Sequence, residues 1–217
     1  DCLLSRGLGD VYKRQVSGRG CVAMLASLGV DTTVADSNET ALAELAEEYG
    51  VATVSVDSAA QGDFDLVVTS PGWRPDSPLL VALQDAGVEV IGDVELAYRL
   101  DRAGVFGAPR TWLVVTGTNG KTTTTGMLAQ IMQADAERTG KRALAVGNIG
   151  VSLFDALTAT PRVDVLCAEL SSFQLHWSSH LRPDVGVLLN LADDHLDWHG
   201  SFCLLYTSPS PRDKRQS

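Results

Sequence analysis

The chain has 217 residues, 45% of them apolar and 20% charged, with a formal net charge of −10, which leaves room for one large or two small domains with buried cores. The acidic balance excludes a general affinity for nucleic acid, although a phosphate site needs only a few local donors. No apolar run reaches the roughly 18 residues of a membrane helix, residues 1–15 lack the apolar stretch of a signal peptide, and Cys2, Cys21, Cys167 and Cys203 form no CxxC pair, which fits reduced thiols in a cytoplasmic protein.

Residues 1–15 stand apart at the start of the chain, as residues 203–217 do at its end. Together they hold Arg6, Lys13, Arg14, Arg212, Lys214 and Arg215 against Asp1, Asp10 and Asp213. The stretch from Tyr206 onward has no apolar periodicity and contains Pro209 and Pro211. Both strings read as non-native, adaptor-like ends rather than as natural disordered termini, and both are expected to make few contacts. Between them, strand-like runs alternate with helix-like segments, the pattern of βαβ units and parallel sheets. Residues 30–35 read as a strand and 39–49 as a helix with Leu42, Leu45, Ala46 and Tyr49 on one face. A strand over 64–69, a helix over 78–86, a short strand over 88–91 and a helix over 94–102 follow. Gly104, Gly107 and Pro109 then mark a boundary. A second series has strands over 111–116, 142–146, 163–168 and 184–190, with its main helix over 121–134. Met127, Leu128, Ile131 and Met132 are expected to be that helix's core stripe. His176 and His180, flanking Trp177, read as structural. The fold class is therefore α/β with mainly parallel sheets. Two domains are expected, a Rossmann-like one over residues 16–108 and a second α/β one over 109–202.

Chemistry gathers where the strands end, because open parallel sheets bind ligands at their carboxyl edge. The first strand of the second series runs into Gly117, Thr118, Asn119, Gly120, Lys121, Thr122 and Thr123. Glycines let backbone N–H groups turn toward an anion, and a helix that opens at the same point adds its positive end. Lys121 can reach the β- and γ-phosphates, and the Thr122 hydroxyl can bind Mg²⁺. The pattern is not a strict GxxxxGK[ST], since Val115 stands where the first glycine belongs. The next strands end in Gly147-Asn-Ile-Gly150, in Glu169-Leu-Ser-Ser172, and in Asn190 followed by Asp193, His195, Asp197 and His199. A carboxylate and a neutral imidazole beside a phosphate loop suit a divalent cation, which makes Glu169 and His195 candidate ligands, with Asp197 and His199 ranked lower. In the first series, Asp36 ends a strand, where an acid can hydrogen-bond a ribose or base. Ser70-Pro-Gly72 ends the next strand, and Val16-Ser-Gly18 precedes a helix.

Taken together these residues resemble the Mur ligase family. TGTNGKTT at 116–123, GNIG at 147–150 and NLADDHLDWHG at 190–200 are general to that family. ELSSFQL at 169–175, SPG at 70–72 and GDVEL at 92–96 resemble the branch that adds D-glutamate to UDP-N-acetylmuramoyl-L-alanine. The match covers about residues 16–202. The resemblance implies a cytoplasmic, three-domain enzyme of peptidoglycan precursor synthesis, monomeric at full length, in which residues 16–108 are the Rossmann-like UDP-substrate-binding domain and 109–202 the N-terminal part of a P-loop-type central ATP-binding domain. It would act on small molecules, with no nucleic acid or membrane partner. ATP would activate the alanyl carboxylate as an acyl phosphate, which the D-glutamate amine attacks. Carried over by motif, Lys121 binds phosphates, and Thr122, Glu169 and His195 hold Mg²⁺. Ser17, Asp36, Ser70 and Asn148 contact the UDP-linked substrate.

Two departures accompany the same resemblance. Ser210 stands in the region where the family's carbamylated lysine is expected, and the third, C-terminal domain is absent, so this piece by itself is expected to be inactive. Other readings remain open: another Mur-type or folylpolyglutamate-type ligase, a nucleotide-binding piece without catalysis, or a dinucleotide-binding oxidoreductase module with Asp36 on an NAD ribose. An intact GxGxxG before a helix, which the last would need, is missing.

Overall fold

The computed structural model describes residues 2–5, 11–192 and 198. It divides into two compact units, Asp1–Leu96 and Ala97–Ser217.

The first unit alternates strand and helix: β1 (Cys2–Ser5), α1 (Val11–Ser27), β2 (Thr32–Ala35), α2 (Glu39–Tyr49), β3 (Ala52–Val54), α3 (Val56–Ala59), β4 (Leu66–Thr69), α4 (Pro78–Asp85), β5 (Glu89–Gly92) and α5 (Asp93–Arg102). Local chemistry sets several boundaries. The Asn38 side chain accepts the Ala41 N–H at the start of α2, and Gly50, with φ of 68°, ends it in the left-handed region that a side chain disfavours. Every pairing is parallel, in the order β3-β2-β1-β4-β5. Val34, Val67, Val68 and Ile91 are buried, as expected for strands covered on both faces. The order reverses between β1 and β4, the switch point at which such sheets leave a crevice for ligands.

The expectation that residues 1–15 make few contacts is corrected here. Cys2–Ser5 is the central strand, paired with β2 on one side and β4 on the other, and α1 begins at Val11. Without it, two inner strand edges would each carry a row of unpaired N–H and C=O groups. A short apolar run that can extend satisfies both, whatever its origin.

Asp93, the first residue of α5, is 8% exposed and accepts the Val94 N–H. Burial pushes its carboxyl up to about 6 from 3.8. An acid whose folded pKa is raised contributes its full stability below the unfolded value and loses it as pH rises through the folded one. Asp93→Asn is therefore expected to stabilise the chain by about 3 kcal/mol at pH 7.5, with the gain shrinking toward zero below pH 4. Urea unfolding at several pH values checks this, and a pH-independent difference would refute it.

The second unit contains β6 (Thr111–Thr116), α6 (Lys121–Ala134), α7 (Ala136–Thr139), β7 (Ala143–Gly147), α8 (Leu153–Thr158), β8 (Val165–Glu169), α9 (Ser172–His176) and β9 (Val185–Leu188). Its parallel sheet has the order β7-β8-β6-β9. The inner strand β8 is buried at all five positions, and there burial pushes the Cys167 thiol up to about 11, away from reactivity. The core stripe of α6 differs from expectation. Thr125 and Ala129 are buried, and Leu128 and Met132 pack on the sheet core, while Met127 and Ile131 are 53% and 64% exposed. Positions 125, 128, 129 and 132 share one helical face, which 127 and 131 leave.

The units divide between Leu96 and Ala97, inside α5, rather than at the expected 108/109 boundary. The second half of α5 is part of the second unit. Tyr98 packs edge-on against Trp112 with ring centres 5.4 Å apart, and its hydroxyl donates to the Arg182 carbonyl at 2.9 Å. Asp101 is fully buried and accepts from the Arg110 backbone and guanidinium at 2.9 and 2.8 Å, and from the Trp112 indole at 2.9 Å. Arg110 also donates to the carbonyls of Val163 and Leu157.

Candidate functional site

Strand register brings the second unit's motifs to one edge. Glu169 of β8 lies opposite Val115 of β6 and Gly147 of β7, and Thr116 lies opposite Leu188 of β9. The segments after these strands all leave the sheet on its carboxyl side.

The loop from Gly117 to Gly120 needs its glycines. Gly117 has φ of 139°, and a Cβ there would stand 3.0 Å from the Asn190 carbonyl oxygen. Gly120, with φ of 87°, caps α6 without a side chain. Asn190 holds the loop shut from β9's side. Its Oδ1 accepts the Asn119 N–H and its Nδ2 donates to the Asn119 carbonyl, both at 2.9 Å. Its own carbonyl accepts the Thr118 N–H at 3.0 Å, and the Thr118 hydroxyl accepts the Ala192 N–H at 3.0 Å. Lys121 folds back over the loop, with Nζ donating to the carbonyls of Gly117 at 2.7 Å and Thr118 at 3.0 Å. Thr122 and Thr123 are exposed in the first turn of α6. The arrangement is a stiff turn at a helix N-terminus with an ammonium group at its mouth, suited to polyphosphate.

Glu169 is 1% exposed. Its Oε1 accepts from Asn148 Nδ2 at 2.7 Å, and its buried Oε2 has no hydrogen-bond partner among the described residues. An acceptor left open in that way has the chemistry to take a cation. Among the described residues no cluster of three His, Cys, Asp or Glu side chains could hold a metal by itself. His195, Asp197 and His199 lie outside the described residues.

In the first unit, β2, β1, β4 and β5 end level, with Ala35, Ser5, Thr69 and Gly92 in register. Asp36 follows β2, is 7% exposed, and accepts the Asn38 N–H at 2.9 Å. Ser70 follows β4, and its carbonyl accepts the Trp73 N–H at 3.2 Å across the Ser-Pro-Gly turn. The structure thus places Asp36 and Ser70 on the edge that the sequence implied. Ser17 is placed differently: it lies within α1 rather than in a loop before it. The helix starts at Val11, so the segment from Val16 to Gly18 is helical instead of turning at the strand end. Sequence reasoning also missed Asn190 as the partner that closes the phosphate loop. Its position at the end of the fourth strand was the available signal.

Both units carry family signatures. The Mur ligase MurD-like N-terminal domain family matches residues 11–92, and the Mur ligase middle domain family matches residues 115–205. The chain belongs to the Mur ligases. The UDP-N-acetylmuramoylalanine–D-glutamate ligase of Corynebacterium diphtheriae is 67% identical over 190 residues, 86% of this chain and 39% of that protein. Those of Corynebacterium efficiens and Rhodococcus jostii are 61% and 53% identical, covering 86% and 85% of this chain and 39% and 37% of theirs. The chain therefore spans about two-fifths of the length of the Mur ligases it matches. Among solved structures, UDP-N-acetylmuramate-alanine ligase MurC from Thermotoga maritima superposes with a TM-score of 0.50 at 22% identity, covering 95% of this Mur ligase chain and 45% of that one. The UDP-N-acetylmuramate:L-alanyl-gamma-D-glutamyl-meso-diaminopimelate ligase from Neisseria meningitides gives a TM-score of 0.51 at 18% identity, covering 95% and 65%. At those identities the likeness is one of fold.

Proposed function

We propose that this chain is the UDP-substrate-binding and part of the ATP-binding machinery of a cytoplasmic ligase that joins D-glutamate to UDP-N-acetylmuramoyl-L-alanine in peptidoglycan precursor synthesis. The observation that carries the reading is the glycine loop with Lys121 and the half-satisfied Glu169 on one sheet edge, in a chain 67% identical to such a ligase. In this reading the loop from Gly117 to Lys121 takes the phosphates of ATP. Asp36 and Ser70, at the switch-point edge of the first sheet, take the UDP-linked substrate. The alanyl carboxylate attacks the γ-phosphorus, ADP leaves, and the amine of D-glutamate then displaces phosphate from the acyl phosphate while giving up a proton. Bound Mg²⁺ would be held by Thr122, Glu169 and His195, and it would neutralise the repulsion between phosphate and carboxylate. The protein's part is positioning and charge neutralisation rather than covalent chemistry.

Two experiments test the reading. Calorimetry on the chain should show binding of Mg-ATP and of UDP-N-acetylmuramoyl-L-alanine, and preferential binding of NAD would favour a dinucleotide-binding module instead. Residues 16–202 grafted in place of the matching segment of the Corynebacterium diphtheriae ligase should support phosphate release that depends on D-glutamate. A folded graft that releases phosphate only with a different amino acid would overturn the choice of D-glutamate.

A further inference from the structure

Glu169 sits between two demands. It is a carboxylate at 1% exposure, and one of its oxygens has no partner among the described residues. A side chain in that state swings toward whatever donor it finds unless something fixes it. The neighbouring strand end supplies the fixture. Gly147, with φ of 92°, brings its backbone so near that an added Cβ would stand 2.5 Å from the Glu169 carbonyl oxygen. The next residue then uses two donors on the same glutamate: the Asn148 N–H reaches the Glu169 carbonyl at 2.9 Å, and the side-chain Nδ2 reaches Oε1 at 2.7 Å. The amide orientation is set by chemistry, because turning it would put two acceptor oxygens at that distance. With Oε1 occupied, Oε2 is the oxygen left for a cation.

We infer that Asn148 is a positioning residue for the cation site. It pins Oε1 of Glu169 so that Oε2 is presented to a divalent metal, and its role is not confined to contacting the sugar-linked substrate. The inference rests on Glu169 being a cation ligand, and the experiment separates the two claims. Outer partners that orient a metal-binding side chain typically matter by about 10–100-fold in metal affinity. Mn²⁺ is the probe, with its free signal followed by electron paramagnetic resonance on the full 217-residue chain at saturating ATP. Asn148→Ala should weaken Mn²⁺ binding roughly 10-fold or more, while affinity for a fluorescent ATP analogue without metal stays unchanged. Asn148→Ser keeps the backbone bond without the amide, and it supplies the same readout if the alanine variant does not fold. Glu169→Gln is the reference. If Glu169→Gln weakens Mn²⁺ binding and the Asn148 variants do not, the inference is overturned and the cation reading stands. If Glu169→Gln has no effect, both are overturned. Loss of metal-free nucleotide affinity in step with Mn²⁺ affinity would show Asn148 to be a general support of the edge, and would also overturn the inference.

Discussion

Asp101→Ala is expected to lower the unfolding free energy of the second unit by about 3–5 kcal/mol. The carboxylate is fully buried, and it is the common acceptor for the Arg110 backbone N–H, the Arg110 guanidinium and the Trp112 indole. Alanine would leave a guanidinium at 3% exposure without its counter-charge, together with two other donors that water cannot reach. Arg110 would keep only its bonds to the carbonyls of Val163 and Leu157. Since domains are stable by about 5–15 kcal/mol, the variant should sit close to unfolding at 37 °C. Asp101→Asn, which retains shape and one acceptor, should cost less. A double replacement, Asp101→Leu with Arg110→Met, should recover much of the loss, because removing both charges leaves neither stranded. Urea unfolding followed by tryptophan fluorescence measures all three. A loss below about 1 kcal/mol for Asp101→Ala would mean that water reaches the pair and that the network is not an anchor.

Lys121→Ala is expected to weaken ATP binding roughly 100-fold. In the free protein Nζ rests on the carbonyls of Gly117 and Thr118, which hold the ammonium at the loop mouth. Phosphate oxygens are stronger acceptors for that charge, and a charge-assisted hydrogen bond is worth about 1.5–3 kcal/mol, or roughly 10–100-fold in affinity. The upper end is expected because β- and γ-phosphates both lie within a lysine's reach and the variant loses the loop's internal brace as well. Lys121→Arg should recover little, since a planar fork does not replace a point charge that must move between loop carbonyls and phosphate. Calorimetry with Mg-ATP checks the ordering. Equal affinity in Lys121→Ala would remove this side chain from the nucleotide site.

Much of the architecture was legible in the chain because it is encoded locally. Apolar runs such as 111–116 and 163–168, each followed by a glycine or acidic turn, announce buried parallel strands, and both are buried in the sheet. The glycines at 117 and 120 could be read as a phosphate loop because the φ values they adopt are ones that other residues disfavour. The family motifs likewise lie at neighbouring strand ends, and register places Gly147, Glu169 and Val115 side by side. Tertiary structure decided the rest, because it depends on groups far apart in sequence. Asn190 closes a loop 71 residues earlier, and Arg110 reaches a carbonyl 53 residues later. No local pattern reports such pairs. The strand at Cys2–Ser5 is a stronger case: four residues without a repeat of their own became the centre of a sheet because β2 and β4 each needed a partner. Met127 and Ile131 illustrate the converse, since helical periodicity groups apolar residues but only packing selects the face that meets the sheet, and it selected the one carrying Thr125, Leu128, Ala129 and Met132. Sequence by itself therefore determined fold class, family and the strand ends at which the candidate site residues gather, whereas the three-dimensional fold decided which side chains brace that edge, because bracing is a matter of long-range hydrogen bonds between strand ends.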